Sequence, residues 1–314
     1  MNFSRFDPRS LGGLFGWALL VSVLGATARS EDVLLQWQFQ KGEMLHYTFP
    51  QTTTTSAHVG GQNLETKTDS RADVSLLVKS VDPEGNADAR LSLERMRIDI
   101  KAPQLGVFHY DSAGRQRTTG YMENVIAGYD ALAKRSFHAV IDGRGDLLSV
   151  SLPEKEVQDL AADKLPLDNL LTPKGLSQFL GLNWPRLPAK AVAVGHTWEE
   201  RAEVVNLALG KVQSTRTYKF DGPVDRAGKQ LEKISYTVEL AAEDQQQRGG
   251  VSFKVLRQQS VGEAYFDRAA GRFVEGKSKM ELTLLTDTGS QQFEQQVVTE
   301  GAFVLLDAKQ AGEK

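Results

Sequence analysis

Apolar residues recur at every second position through most of the chain. Ile234, Tyr236, Val238 and Leu240 alternate with Ser235, Thr237 and Glu239, and Val74, Leu76 and Val78 follow the same rule. A period of two sets one face of a strand against a core and the other in water. Half-wet strands of this kind belong to antiparallel sheet, because parallel sheet is covered on both faces and reads as unbroken apolar runs. Leu91 and Leu93 are followed by Met96, Ile98 and Ile100 with the phase moved by one residue, which predicts a β-bulge near Glu94 and Arg95.

Turn chemistry separates the alternating stretches. Gly60-Gly61, Pro83-Glu84-Gly85-Asn86, Asp111-Ser112-Ala113-Gly114, Asp142-Gly143-Arg144-Gly145, Asp221-Gly222-Pro223 and Asp287-Thr288-Gly289 each supply a residue that tolerates positive φ or caps its own backbone. The strands expected from these signals cover 33–57, 63–80, 88–101, 106–110, 136–141 and 146–151, then 197–210, 213–221, 229–242, 250–259, 263–268, 272–286 and 290–306. A weak internal repeat runs through them. KGEMLHYTF at 41–49 and VGHTWEER at 194–201 each open a set of strands with a glycine turn. FHAVIDGRGDLLSV at 137–150 and AYFDRAAGRFVEG at 264–276 place an aromatic strand before another.

Helical periodicity is confined to the middle. Residues 121–133 align Met122, Val125, Ile126, Tyr129 and Leu132; residues 153–164 open on Pro153 with glutamates in the first turn; a shorter helix is expected near 173–181. Residues 182–195 are broken by prolines and a glycine, and Trp184 and Leu187 are expected to pin that crossing to the core. The fold class expected is mainly β (α+β): long curved antiparallel sheets, in two related halves, packed against a few helices. The divisions are 29–151 for a first β-rich half with one helix, 152–193 for a helical linker and crossing, 194–307 for a second β-rich half, and 308–314 for a flexible tail.

The first 28 residues read as a signal peptide. Arg5 and Arg9 precede an uncharged run from Leu11, which ends at Ala26-Thr27-Ala28, a small-x-small cleavage pattern. The mature chain is therefore expected in the periplasm of a bacterium or secreted from it. No later apolar stretch is long enough to span a membrane as a helix.

The chain's 314 residues carry 37 Lys+Arg against 40 Asp+Glu and no cysteine. The charge balance argues against nucleic acid as a partner, which requires a net basic footprint. The missing thiols exclude disulfides, thiolate clusters and cysteine nucleophiles. His46, His58, His109, His138 and His196 show no zinc-ligand spacing, and no nucleophile-elbow, dinucleotide or Walker motif is present. No metal and no cofactor are expected. Asp142 to Asp146 lacks the oxygen positions of a calcium loop and reads as a tight hairpin turn. The one carboxylate cluster beside aromatics is Glu199 and Glu200 with Trp184 and Trp198, the candidate for an acid–base pair.

LLQWQFQKGEMLHY at 34–47 and LPAKAVAVGHTW at 187–198 resemble segments of a broad class of uncharacterised exported bacterial β-rich proteins. His196 departs from the acidic residue that often follows the glycine there. At fold level, a curved sheet with helices looks like periplasmic lipoprotein carriers and related lipid-binding proteins. That resemblance implies an exported protein whose partner is a lipid, a lipoprotein or another envelope protein. The function expected is non-enzymatic binding of a hydrophobic ligand or a protein partner in a sheet concavity lined by Met96, Ile98, Ile100, Val125, Tyr129, Ile234, Tyr236 and Val238. The alternatives are a carboxylate-based exported hydrolase acting through Glu199 and Glu200, and a structural envelope protein.

Overall fold

The computed structural model describes residues 32–103, 106–114, 130, 133, 135–155, 158, 184–206, 210–242, 246–248 and 251–307. The strands are β1 (Met44–Val59), β2 (Gln62–Val81), β3 (Ala87–Ala102), β4 (Gly106–Asp111), β5 (Ser136–Ile141) and β6 (Leu147–Ser151), then β7 (Thr197–Asn206), β8 (Gly210–Arg226), β9 (Lys229–Ala242), β10 (Gln246–Arg248), β11 (Val251–Asp267), β12 (Arg272–Asp287) and β13 (Gln292–Leu306). They form one antiparallel sheet in the order β6-β5-β3-β2-β1-β13-β12-β11-β9-β8-β7, with β4 added to β3 and β10 to β11. The first and last strands pair, from His46 opposite Leu306 to Ala57 opposite Gln295, and lie at the middle of the path. The two ends, β6 and β7, do not pair with each other, so the sheet is unclosed.

The sheet nevertheless curls until its ends approach. At the usual strand spacing, a flat path of eleven strands would hold β6 and β7 roughly 48 Å apart. Instead both ends reach the same two residues. Leu187 donates its N–H to Arg144 O (3.1 Å) in the turn between β5 and β6, and Trp198 of β7 donates its indole N–H to Arg186 O (2.8 Å). Arg186 also pairs with Asp146 in that turn.

A second extended segment crosses the same end. Val33 exchanges both backbone hydrogen bonds with Val192, at 2.9 Å each. Trp37 then donates its N–H to Gly143 O (2.8 Å), and Gln38 donates to Gly271 O (2.9 Å) in the turn between β11 and β12. Trp37 stacks on Phe39 and meets Trp184, Phe266 and Phe273 at 5.1–6.5 Å between ring centres. The turn glycines permit this approach. A Cβ on Gly145, whose φ is +86°, would lie 2.7 Å from Trp37 Nε1, and one on Gly271 would lie 2.4 Å from Gln38 Cβ. Trp184 and Leu187 are buried, and Tyr47 donates its hydroxyl to Phe273 O at 2.7 Å within the same core.

These segments correct the expected architecture. Among the described residues every defined element is a strand, and the apolar face is closed by the curl and by the crossings at 32–43 and 184–196 rather than by packed helices. The helices expected at 121–133, 153–164 and 173–181 fall almost wholly outside the described residues. A short apolar run fits either period, so periodicity alone could not decide what covers the sheet. Residues 33–43, expected within the first strand, precede β1, because Val33 bonds to Val192 and Trp37 and Gln38 bond to turns instead of a neighbouring ladder.

Other local features follow the sequence closely. Arg95 pairs with Asp73 and Leu93 with Val74, which leaves Glu94 as the extra residue of a bulge. The openings at Gly42 and Gly195 share one geometry. Gly42 N–H and Glu43 O bracket Val78, while Gly195 N–H and His196 O bracket Phe220. The segments expected at 250–259 and 263–268 form one continuous strand, β11. Its Gly262 pairs with Tyr236, whose ring lies where a Cβ would sit, 2.2 Å from Cζ. Gly276 and Phe303 form a second pair of this kind across β12 and β13, with 2.4 Å to Cε1. In both, the ring covers bare backbone and restores the burial that glycine forfeits.

Two predictions follow from this packing. Gly262→Ala and Gly276→Ala should each lower stability by about 1–3 kcal/mol by overpacking, measured as a shift in urea midpoint. The second concerns Glu263, which ties the outer faces of β9, β11 and β12 through Lys233 (2.9 Å) and Lys277 (3.1 Å). The hydrogen bond from Lys233 brings its carboxyl from 4.5 down to about 2. A folded value below the unfolded one gives a contribution that is full above pH 4.5 and disappears as pH falls through about 2. Glu263→Gln should flatten that part of the urea-midpoint profile.

Candidate functional site

From Phe220 back along β8 and from Ile234 onward along β9, strand alternation sends even-numbered residues to the concave face. From the closed end outward these are Phe220, Tyr218, Arg216 and Ser214, beside Ile234, Tyr236, Val238 and Leu240. The closed end is a packed aromatic floor, and farther along the strands Val212, Leu240, Leu282 and Leu284 gather into a second apolar cluster. Between the two lies a cavity of about 320 Å³. Phe49, Trp184, Tyr236, Val238, Met280 and Phe303 give it apolar walls, and Gln51, Ser214, Ser260, Ser278 and Thr299 form a polar belt.

Two features keep the space open. The rings of Tyr236 and Phe303 lie flat against Gly262 and Gly276 instead of standing into the concavity. In addition, β9 and β11 pair only between Glu232–Tyr236 and Gly262–Phe266 and then part. Past that point the side-chain amide of Gln258 takes the place of a strand: Leu240 N–H donates to its Oε1 (2.8 Å), and its Nε2 donates to Leu240 O (3.0 Å).

Arg216 is the charged group whose side chain belongs to this inner wall. It is half-buried and lies opposite Glu200 of β7 and Val238 of β9. Its guanidinium donates a hydrogen bond to the Tyr218 hydroxyl, which donates in turn to Glu200 at 2.8 Å, so Glu200 acts on Arg216 across that bridge and among the described residues no direct salt bridge to it forms. Burial raises the pKa of Tyr218 and of Tyr236, so both hydroxyls stay protonated. Lys277 touches the cavity, but its ammonium turns outward to Glu263.

The residues expected to line a binding site are dispersed. Tyr236 and Val238 line the cavity, whereas Ile234 is fully buried in the core. Met96, Ile98 and Ile100 pack with Phe108 and Tyr110 in a separate cluster on β3 and β4. Val125 and Tyr129 lie outside the described residues. Glu199 and Glu200 occupy opposite faces of β7. Glu199 is exposed and contacts Arg201 at 3.4 Å, while Trp184 sits in the floor and Trp198 stacks on Tyr218. Arg216 was missed in the sequence, although its phase with Tyr218 and Phe220 marks it as inward-facing.

A wider depression of about 750 Å³ near the tips of β1 and β2 is lined mostly by polar side chains, among them Ser56, His58, Asn63, Glu65 and Gln296. Among the described residues no three His, Asp or Glu side chains gather as a metal site would require, and no helix is long and apolar enough to cross a membrane.

No protein-family model matches the chain, and its sequence matches no curated protein. Among solved structures it bears a distant resemblance to a protein described as exported, with a YmcC-like fold, from Bacteroides fragilis: 8% identity, 87% of this chain and 98% of the other covered, TM-score 0.23. DynF from the dynemicin biosynthesis pathway of Micromonospora chersina aligns with 8% identity over 89% of each chain, at a TM-score of 0.22. The translocator domain of autotransporter NalP from Neisseria meningitidis aligns with 8% identity over 85% of this chain and 89% of that one, also at 0.22. Likeness at this level does not establish a shared fold and says nothing about function.

Proposed function

We propose that this chain is a non-enzymatic, exported binding protein that holds a small apolar or amphiphilic molecule in the concavity of its sheet. The observation that carries the reading is the cavity of about 320 Å³ between two packed apolar clusters. Its size lies at the lower end of small-molecule pockets, about 300–1,000 Å³, and its lining of aromatic and aliphatic walls with a few polar groups is the usual one for such sites. Space of this kind at the centre of a sheet forgoes packing that larger side chains could supply. The charge pattern of residues 1–28 supports action outside the cytoplasm, in the periplasm or beyond.

Gly301 supplies the test. It lines the cavity, and a Cβ there would meet only Ser278 Oγ, at an ordinary 3.5 Å. Gly301→Leu should therefore fill the space while leaving the sheet folded. The unsubstituted chain should bind the neutral probe N-phenyl-1-naphthylamine saturably, with quenching of Trp184. Gly301→Leu should weaken that binding at least tenfold at an unchanged urea midpoint. Equal affinity in the two proteins would place the probe elsewhere and remove the support for this reading.

A further inference from the structure

We infer that the ligand carries one carboxylate, and that Arg216 binds it: the cavity takes a single-chain amphiphile with its acid group at Arg216 and its chain along the apolar walls. This rests on the concavity being a binding site and adds the ligand's charge and head-group chemistry.

Three observations converge. The first is placement. Arg216 stands on the inner face of β8, part-way along the cavity wall, with Tyr218 and Phe220 following it in phase toward the floor. The second is that no carboxylate reaches it directly: its guanidinium donates a hydrogen bond to the Tyr218 hydroxyl, and the charge of Glu200 acts on it from beyond that hydroxyl. Its cross-strand neighbour Glu200 is the nearest candidate, yet that carboxylate is engaged by the Tyr218 hydroxyl and does not line the cavity, whereas Arg216 does. Elsewhere on the sheet cations sit on carboxylates: Lys233 and Lys277 on Glu263, Arg226 on Glu275, Lys219 on Asp221. The third is the polar belt of the same cavity. Ser214, Ser278 and Gln51 can donate further hydrogen bonds to an oxyanion, and no aspartate or glutamate lines the cavity to repel it.

The guanidinium is always charged and presents a planar fork that matches a carboxylate with two parallel hydrogen bonds. A phosphate monoester, with nearly two charges at neutral pH, would be left under-neutralised in a partly buried site. The small cavity favours one chain over two.

Calorimetric titration of the full chain with dodecanoate, dodecanol and dodecyl phosphate tests the assignment. Dodecanoate should bind at least tenfold more tightly than dodecanol, the scale of one charge-assisted interaction. Arg216→Met should erase that preference while retaining dodecanol binding, and Arg216→Lys should restore part of it. Equal binding of dodecanoate and dodecanol to the unsubstituted chain would overturn the role of Arg216 and leave the concavity as a neutral site. Tighter binding of dodecyl phosphate would overturn the carboxylate. If none of the three binds, or if all bind Gly301→Leu unchanged, the concavity reading fails as well. The ligand comparison is made on the unsubstituted chain, so it decides the matter even if the Arg216 variants do not fold.

Discussion

The structure depends on the clamping of residues 36–38 between two hairpin turns. An antiparallel path of eleven strands whose ends do not pair has a wide apolar face to bury, and among the described residues no helix covers it. Backbone bonds from Trp37 to Gly143 and from Gln38 to Gly271 join the β5–β6 turn to the β11–β12 turn, across most of the path. The indole of Trp37 then fills the space that the curl encloses. Both turns need glycine for the same steric reason, close passage of this segment. Two glycine turns that look like copies in the sequence are thus two jaws on one strand of backbone. Contacts here join residues far apart in sequence, so closing this end costs more chain entropy than forming a local hairpin.

Packing falls off along the strands from that end. Near Trp37 the aromatic rings meet edge-on and leave little room. One layer farther out, Tyr236 and Phe303 are drawn flat by the glycines opposite them, and the space they vacate is the cavity. The glycines therefore set the depth of the site as well as permitting the sheet. β9 and β11 part at the same level, so the wall becomes less regular where a ligand would lie, and Gln258 supplies by side chain the bonds that the missing ladder would have made.

Much of this was legible from alternation alone. The phase slip after Leu93 located the bulge at Glu94, and the strand set and its antiparallel character followed from period two. The burial of Trp184 and Leu187 followed from large apolar groups in a proline-broken segment. Three things were hidden. The crossing at 33–43 alternates like a strand, yet bonds to turns whose positions no local pattern reveals. Gly262 resembled a break because the ring that covers it comes from β9. The site was obscured because lining positions were sought among apolar residues. Arg216 is polar, and it reads as solvent-facing until β8 is followed from Phe220 back through Tyr218 with the phase held.

The inward position of Arg216 carries a desolvation cost. Cross-strand charge pairs on the outer faces satisfy each other in water and contribute modestly. A guanidinium turned inward loses hydration, and its nearest anion, Glu200, is reached only across the Tyr218 hydroxyl that accepts its hydrogen bond. Methionine or leucine at this position would suit the surrounding Val238 and Met280 and remove the desolvation cost. Packing therefore does not account for an arginine here. The Tyr218 hydroxyl stands between Glu200 and the guanidinium, so Arg216 forms no direct salt bridge while it lines the cavity. The acidic amphiphile we propose would pair directly with the guanidinium and pack along the apolar walls.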